Sequence, residues 1–141
     1  MWYSYNYGMV HFVQINTETD FVGAPDELGG GAGNDAGPFG APNQQLDWLE
    51  ADLASVDREL TPWVVVSGHR PFYSAGGTCD TCRAAFESII LKYDVDLVWH
   101  GHVHYYERDY PVANNTVDPK GLNNPSAPWY LTSGGPGKYV F

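Results

Sequence analysis

Two short apolar runs in this chain end in the same way, and that shared pattern constrains the fold more than any other feature. Trp63-Val64-Val65-Val66-Ser67 runs into Gly68-His69-Arg70-Pro71, and Asp96-Leu97-Val98-Trp99 runs into His100-Gly101-His102-Val103-His104. Near-continuous apolar runs of this length are what the buried strands of a covered sheet require. The histidines come just past the carboxyl ends, where open α/β sheets gather their ligands. Four of the five histidines fall in these two segments. In an extended segment side chains i and i+2 share a side, so His102 and His104 can aim two nitrogens at one small region. Neutral imidazole suits zinc, iron, manganese and their neighbours. An isolated His-x-His also suits a polar loop that ligates nothing; a second histidine segment of the same construction favours a metal site.

The rest of the chain fits around these strands. Tyr7 to Asn16 is expected to form a buried strand, with His11, lacking any partner nearby in sequence, as a core or edge residue. The stretch 22–42 is a glycine-rich loop, with seven glycines and three prolines between 23 and 42. No Gly-Lys-Ser or Gly-Lys-Thr follows it, so it is not a phosphate cradle. Pro42-Asn43 is expected to open a helix, with Asn43 as its cap and Leu46, Leu49, Leu53, Val56 and Leu60 facing the sheet until Pro62. Asp47, Glu50, Asp52, Asp57 and Glu59 fall mostly on its exposed side, as a solvated face rather than catalytic carboxylates. A second helix is expected over Arg83 to Tyr93, then a strand over Val95–Trp99, turns beyond Arg108, and a last strand over Pro128–Gly135. Strands alternating with helices predict an α/β fold in which helices pack against a sheet.

Cys79-Asp80-Thr81-Cys82 admits three readings: a redox pair, half of a structural zinc site completed by two histidines, or a local disulfide or two packed cysteines. A disulfide would accord with secretion. Seventeen acidic against seven basic residues give a net charge of −10, which disfavours nucleic acid or an anionic membrane as partner. No segment approaches the roughly 18 apolar residues of a spanning helix. Met1-Trp2-Tyr3-Ser4 lacks the basic flank and apolar core of a signal peptide, so the chain by itself is expected to stay where it is made. Asn114-Asn115-Thr116 is a glycosylation sequon in a plausible turn.

Ser67-Gly68-His69-Arg70-Pro71 together with Gly101-His102-Val103-His104-Tyr105-Tyr106-Glu107-Arg108 resembles the carboxyl-terminal half of a purple acid phosphatase, within the calcineurin-like metallophosphoesterases. Trp2-Tyr3-Ser4-Tyr5-Asn6-Tyr7-Gly8, Val10-His11-Phe12-Val13 and Asp20-Phe21 are similar to the preceding stretch in secreted fungal members. The resemblance implies that residues 1–141 form part of a metallophosphoesterase catalytic domain, half of a β-sandwich flanked by helices. It implies hydrolysis of small-molecule phosphomonoesters at a dinuclear centre, iron with zinc, manganese or a second iron, in a secreted glycoprotein.

By the same resemblance His69 and His102 would ligate the divalent ion and His104 the ferric one. Tyr106, Glu107 and Arg108 would orient the ligands or support them, and Arg70 would contact phosphate or form a structural ion pair. His100 receives no ligand role. The family's Gly-Asp-x-Gly, Gly-Asp-x-x-Tyr and Gly-Asn-His-Glu motifs do not occur, and no Gly-Asp dipeptide stands anywhere in the sequence. The chain is therefore expected to be a fragment that holds at most one metal and has little or no activity alone. The alternatives are a non-catalytic metal- or partner-binding remnant, or a small structural-zinc module using Cys79 and Cys82 with histidines.

Overall fold

The computed structural model describes residues 1–26 and 37–135. The centre of the glycine-rich loop, 27–36, and the last six residues lie outside them.

The chain opens with a hairpin where a single strand was expected. Strands β1 (Tyr3–Tyr7) and β2 (Val10–Gln14) pair antiparallel across a two-residue turn. Gly8 takes φ 58° there, a conformation that hairpin turns demand and glycine adopts without steric cost. Tyr5 stacks on its cross-strand partner Phe12 at 5.3 Å between ring centres. The remaining elements are α1 (Gln44–Ala54), β3 (Trp63–Gly68), α2 (Asp80–Lys92), β4 (Leu97–His100), β5 (Tyr106–Arg108), β6 (Val112–Ala113), β7 (Thr116–Val117) and β8 (Trp129–Ser133). Six strands form one sheet in the order β1-β2-β3-β4-β8-β5, with β2, β3, β4 and β8 parallel and both edge strands antiparallel. β6 and β7 form a separate small hairpin.

Strand order advances in one direction through β2, β3 and β4, so two right-handed crossovers place both helices on the same face. The core confirms it. Val13, Val66, Val98 and Tyr130 stand in register across four strands and pack with Leu49 and Leu53 of α1 and Phe86 and Ile90 of α2. Each such side chain removed from water stabilises the fold by about 1.5–3 kcal/mol. The opposite face carries Phe12, Trp63, Val65, Trp99 and Leu131, with Trp63 56% and Trp99 46% exposed. Strands built for burial on both faces are thus covered on one only.

Helix α1 departs from expectation at both ends. Asn43 precedes it at φ 65° and its side chain caps nothing. Gln45 anchors the first turn instead: wholly buried, it accepts from the Asn16 backbone N–H at 2.5 Å and donates to the Asn16 carbonyl at 3.0 Å. The helix stops at Ala54, eight residues before Pro62, leaving Leu60 71% exposed. Beyond it, Arg58 donates to the carbonyls of Pro62, Tyr93 and Asp94 and to Asp96 Oδ2, which fixes this connection against the end of α2 and the start of β4. His11 is buried in β2, one strand in from the sheet edge, bonded to Asn6 Oδ1 at 2.6 Å and to Asp52 Oδ2 at 3.0 Å, so Asp52 belongs to the packing rather than to a solvated face.

Helix α2 starts three residues earlier than the apolar spacing suggests, because Cys79 caps it: its Sγ accepts from the Cys82 N–H at 3.2 Å. The two cysteines form a disulfide, so neither is a thiolate available to zinc, and the structural-zinc reading loses its sulfur ligands.

Candidate metal centre

Register brings the two histidine segments together. Gly68 is paired with His100, so the residues that follow, His69 and Gly101, leave the sheet side by side, and the Gly101 N–H donates to the His69 carbonyl at 3.0 Å. Thr17, just past the end of β2, accepts both the His69 N–H at 3.1 Å and the Arg70 N–H at 2.8 Å on its hydroxyl. Three adjacent parallel strands therefore meet at one point. His102 adopts φ 63°, a left-handed conformation uncommon for a residue with a side chain. That turn carries its ring to His69: Nδ1 of His102 lies 3.0 Å from Nε2 of His69, with the rings nearly perpendicular.

Arg70 sits beside this pair. Its Nε donates to both Glu18 oxygens at 2.9 and 2.8 Å, Nη2 lies 2.8 Å from Glu18 Oε2, and Nη1 is 3.4 Å from His102 Nε2. Glu18 Oε1 is also 4.0 Å from His69 Nε2. Burial first, and then the charges of Arg70 and His69, hold His102 below the ordinary imidazole range, which favours the neutral ring that metal ligation requires.

A zinc–nitrogen bond of 2.0–2.1 Å puts two tetrahedral ligands about 3.3 Å apart. The 3.0 Å between His69 and His102 fits that separation after a slight opening. His104 lines the same cleft as Arg70 and His102 but makes no hydrogen bond to the pair. Among the described residues no group of three or more histidine, cysteine or acidic side chains closes a metal site. The donors present thus fit two positions of an ion and leave the others open.

The remaining residues singled out by sequence divide between two places. Glu107 braces the loop facing the histidines: its carboxylate accepts from the Ala75 N–H at 3.0 and 3.2 Å and from the Tyr105 hydroxyl at 2.9 Å. Burial pushes this carboxyl up, but the bonds from Ala75, Ser74 and Tyr105 outweigh it and hold it below the usual range. Gly134 closes the other side, since a side chain there would run into the Val103 carbonyl. Tyr106, 69% exposed, and Arg108, whose guanidinium lies 5.5 Å from the Trp129 ring centre, are not brought to the histidines. Asn114 is exposed in the turn between β6 and β7 at φ 50°. Glu18 and Thr17 escaped sequence analysis, although Thr17-Glu18 also stands just past the carboxyl end of a buried strand.

Parallel strands ending in paired histidines, with an arginine held beside them, suit the handling of an anion. The family model of the calcineurin-like phosphoesterases matches residues 7–106, and the chain belongs to that family. Similar proteins include acid phosphatases, purple ones among them. Acid phosphatase A of Cryphonectria parasitica is 57% identical over 139 residues, covering 96% of this chain and 28% of that protein. Purple acid phosphatase 21 of Arabidopsis thaliana is 36% identical, covering 95% of this chain and 26% of that protein. The structure of purple acid phosphatase PPD1 from yellow lupin (Lupinus luteus) seeds superposes with a TM-score of 0.74 at 30% identity, covering 95% of this chain and 23% of that one. The chain spans about a quarter of the length of these relatives. No helix among the described residues is long and apolar enough to cross a membrane.

Proposed function

We propose that residues 1–141 are one part of the catalytic domain of an acid phosphatase that hydrolyses small phosphomonoesters, and that they contribute half of its metal centre. The observation that carries this reading is the 3.0 Å approach of His69 Nε2 to His102 Nδ1 at adjacent strand ends beside Arg70. His69 and His102 hold the divalent ion and His104 turns to the ferric one, in a centre of iron with zinc, manganese or a second iron. These three histidines alone retain at most one metal. Such a centre supplies Lewis acidity and neutralises charge on the phosphoryl oxygens. Arg70, fixed by Glu18, holds Nη1 beside His102 where it can also meet the phosphate, and Glu107 keeps the 74–76 loop in place. The Cys79–Cys82 disulfide and the exposed Asn114 sequon support a secreted, glycosylated protein.

The test is hydrolysis of p-nitrophenyl phosphate at pH 5. It compares the 141 residues refolded with iron and zinc against a chimera in which acid phosphatase A of Cryphonectria parasitica supplies the parts of its own length that this chain does not cover. Turnover is expected in the chimera, lost in its His69→Ala and His104→Ala variants, and negligible in the isolated chain. A folded, metal-loaded chimera without turnover would refute the reading.

A further inference from the structure

The Cys79–Cys82 bridge supplies nothing to the candidate centre, and it joins two residues of a single turn rather than two separate elements. Its setting is that of an exchangeable pair. β3, α2 and β4 form a βαβ unit whose strands pair directly in parallel, and Cys79 caps the connecting helix. Cys-x-x-Cys at the amino end of such a helix is the arrangement of dithiol redox sites. The redox reading, one of three that the sequence admits, thereby gains the context it requires.

The two sulfurs are not equivalent. Cys79 lines the cleft beside His102 and is 8% exposed, while Cys82 is wholly buried. A small thiol entering from solvent therefore meets Cys79 first. Cys79 Sγ accepts the Cys82 N–H at 3.2 Å, and this bond together with the helix dipole favours a thiolate there. Cys82 Sγ lies 3.4 Å from the Thr17 carbonyl oxygen, which suits a protonated thiol and opposes a thiolate.

Thr17 connects the bridge to the histidines. Its carbonyl touches Cys82, while its hydroxyl accepts the His69 N–H at 3.1 Å and the Arg70 N–H at 2.8 Å. The Cys79 N–H also donates to the Pro71 carbonyl at 2.8 Å, so the bridge bears on both ends of the 69–71 segment. Thr17 and Cys82 are both closed off from solvent. Opening the bridge moves two sulfurs from bonded distance to van der Waals contact, and a close-packed interior passes that displacement to its neighbours.

We propose that Cys79 and Cys82 are a thiol-exchangeable pair, opened at Cys79 by small thiols, and that opening loosens the hold of Thr17 on His69 and Arg70. A thiolate attacks Cys79 Sγ, the bond to Cys82 breaks, and Cys82 leaves and takes up a proton. A second thiolate attacks the small-thiol sulfur of the mixed disulfide and releases Cys79. Two thiols are oxidised to a disulfide, the bridge gains their two electrons, and their protons pass to Cys82 and to solvent. The exchange is independent of the phosphatase reading; its consequence for metal rests on that reading.

The metal-free chain is equilibrated in about 10 mM glutathione, about nine-tenths of it reduced, quenched with iodoacetamide and mapped by mass spectrometry. About one bridge in ten or more is expected open, with glutathione captured by Cys79 in Cys82→Ala and not by Cys82 in Cys79→Ala. Amide hydrogen exchange at His69 and Arg70 should be about tenfold faster in the reduced chain, while Val65 and Val66 of β3 keep their rates. Zinc should bind the bridged chain about tenfold more tightly than Cys79→Ala/Cys82→Ala. Zinc bound by neither would remove the metal-centre reading and leave the exchange and its amide readout standing. A bridge that stays closed in glutathione, or exchange at His69 and Arg70 unchanged on reduction, would overturn the proposal.

Discussion

The two rings that meet at the candidate centre, His69 and His102, come from different strands, 33 positions apart, yet their nitrogens lie 3.0 Å from each other. Neither strand alone could achieve this. The parallel register of β3 and β4 brings the segments level, and the left-handed turn at His102 completes the approach. Arg70 and Glu18 then enclose the pair on one side.

Glu18 is expected to be a positioning residue. It holds Arg70 through a fork of short bonds in a half-buried setting, and removing one partner of such a pair leaves the other uncompensated. Glu18→Ala should cost about 2 kcal/mol of folding stability by urea denaturation. It should also weaken zinc binding about tenfold by calorimetry, as loss of an outer support does. Unchanged zinc affinity with the stability loss intact would confine Glu18 to folding.

The disulfide separates two fates for the cysteines. It closes a four-residue loop at the amino end of α2, and constraining a loop that short contributes about 2 kcal/mol. The Cys79→Ala/Cys82→Ala variant should therefore remain folded and melt about 5–8 °C lower, while a chelator, which removes only the ion held by His69 and His102, should lower the melting temperature of the native chain and leave it folded at 25 °C. Unfolding by chelator would restore the structural-zinc reading.

His100 makes the fold sensitive to acid. It is 1% exposed, packed on Phe72 at 4.6 Å between ring centres, and both ring nitrogens lack hydrogen-bond partners. Burial, helped by the charge of His69, pushes its pKa down to about 3. Between pH 6.5 and that value the unfolded chain binds a proton the folded chain refuses, so stability is complete above pH 6.5 and declines as pH falls. At pH 5 the loss is about 2 kcal/mol. Asp109, pushed up to about 6 by burial and by Glu107, acts in the opposite sense, favouring the fold as pH falls through 6, though its exposure reduces the effect. Thermal melts at pH 7 and pH 5 should show a net loss that largely disappears in His100→Ser. An equal loss in that variant would place the acid sensitivity elsewhere.

The central sheet was legible because burial writes apolar runs into β3 and β4, and because their histidines share a position relative to the strand ends. The α/β order and the convergence of His69 with His102 follow from those two facts. The β1–β2 hairpin was hidden although Tyr3-Ser4-Tyr5-Asn6-Tyr7 alternates aromatic with polar residues: the aromatic positions are exposed, and the apolar run that reads as a buried strand begins only after Gly8. Leucine spacing overextended α1, since Leu60 continues the period although Arg58 has already turned the chain toward Asp96. Glu18 was invisible for a different reason: its importance lies in a bond to Arg70 across 52 positions, which no local pattern records.

The most direct test of the account is the number of zinc ions bound by the purified, refolded chain, measured by calorimetry and elemental analysis. One ion per chain is predicted, with binding lost in both His69→Ala and His102→Ala while circular dichroism stays native. Zinc bound equally well by the double variant His69→Ala/His102→Ala would contradict the claim that these two side chains form half of a metal centre.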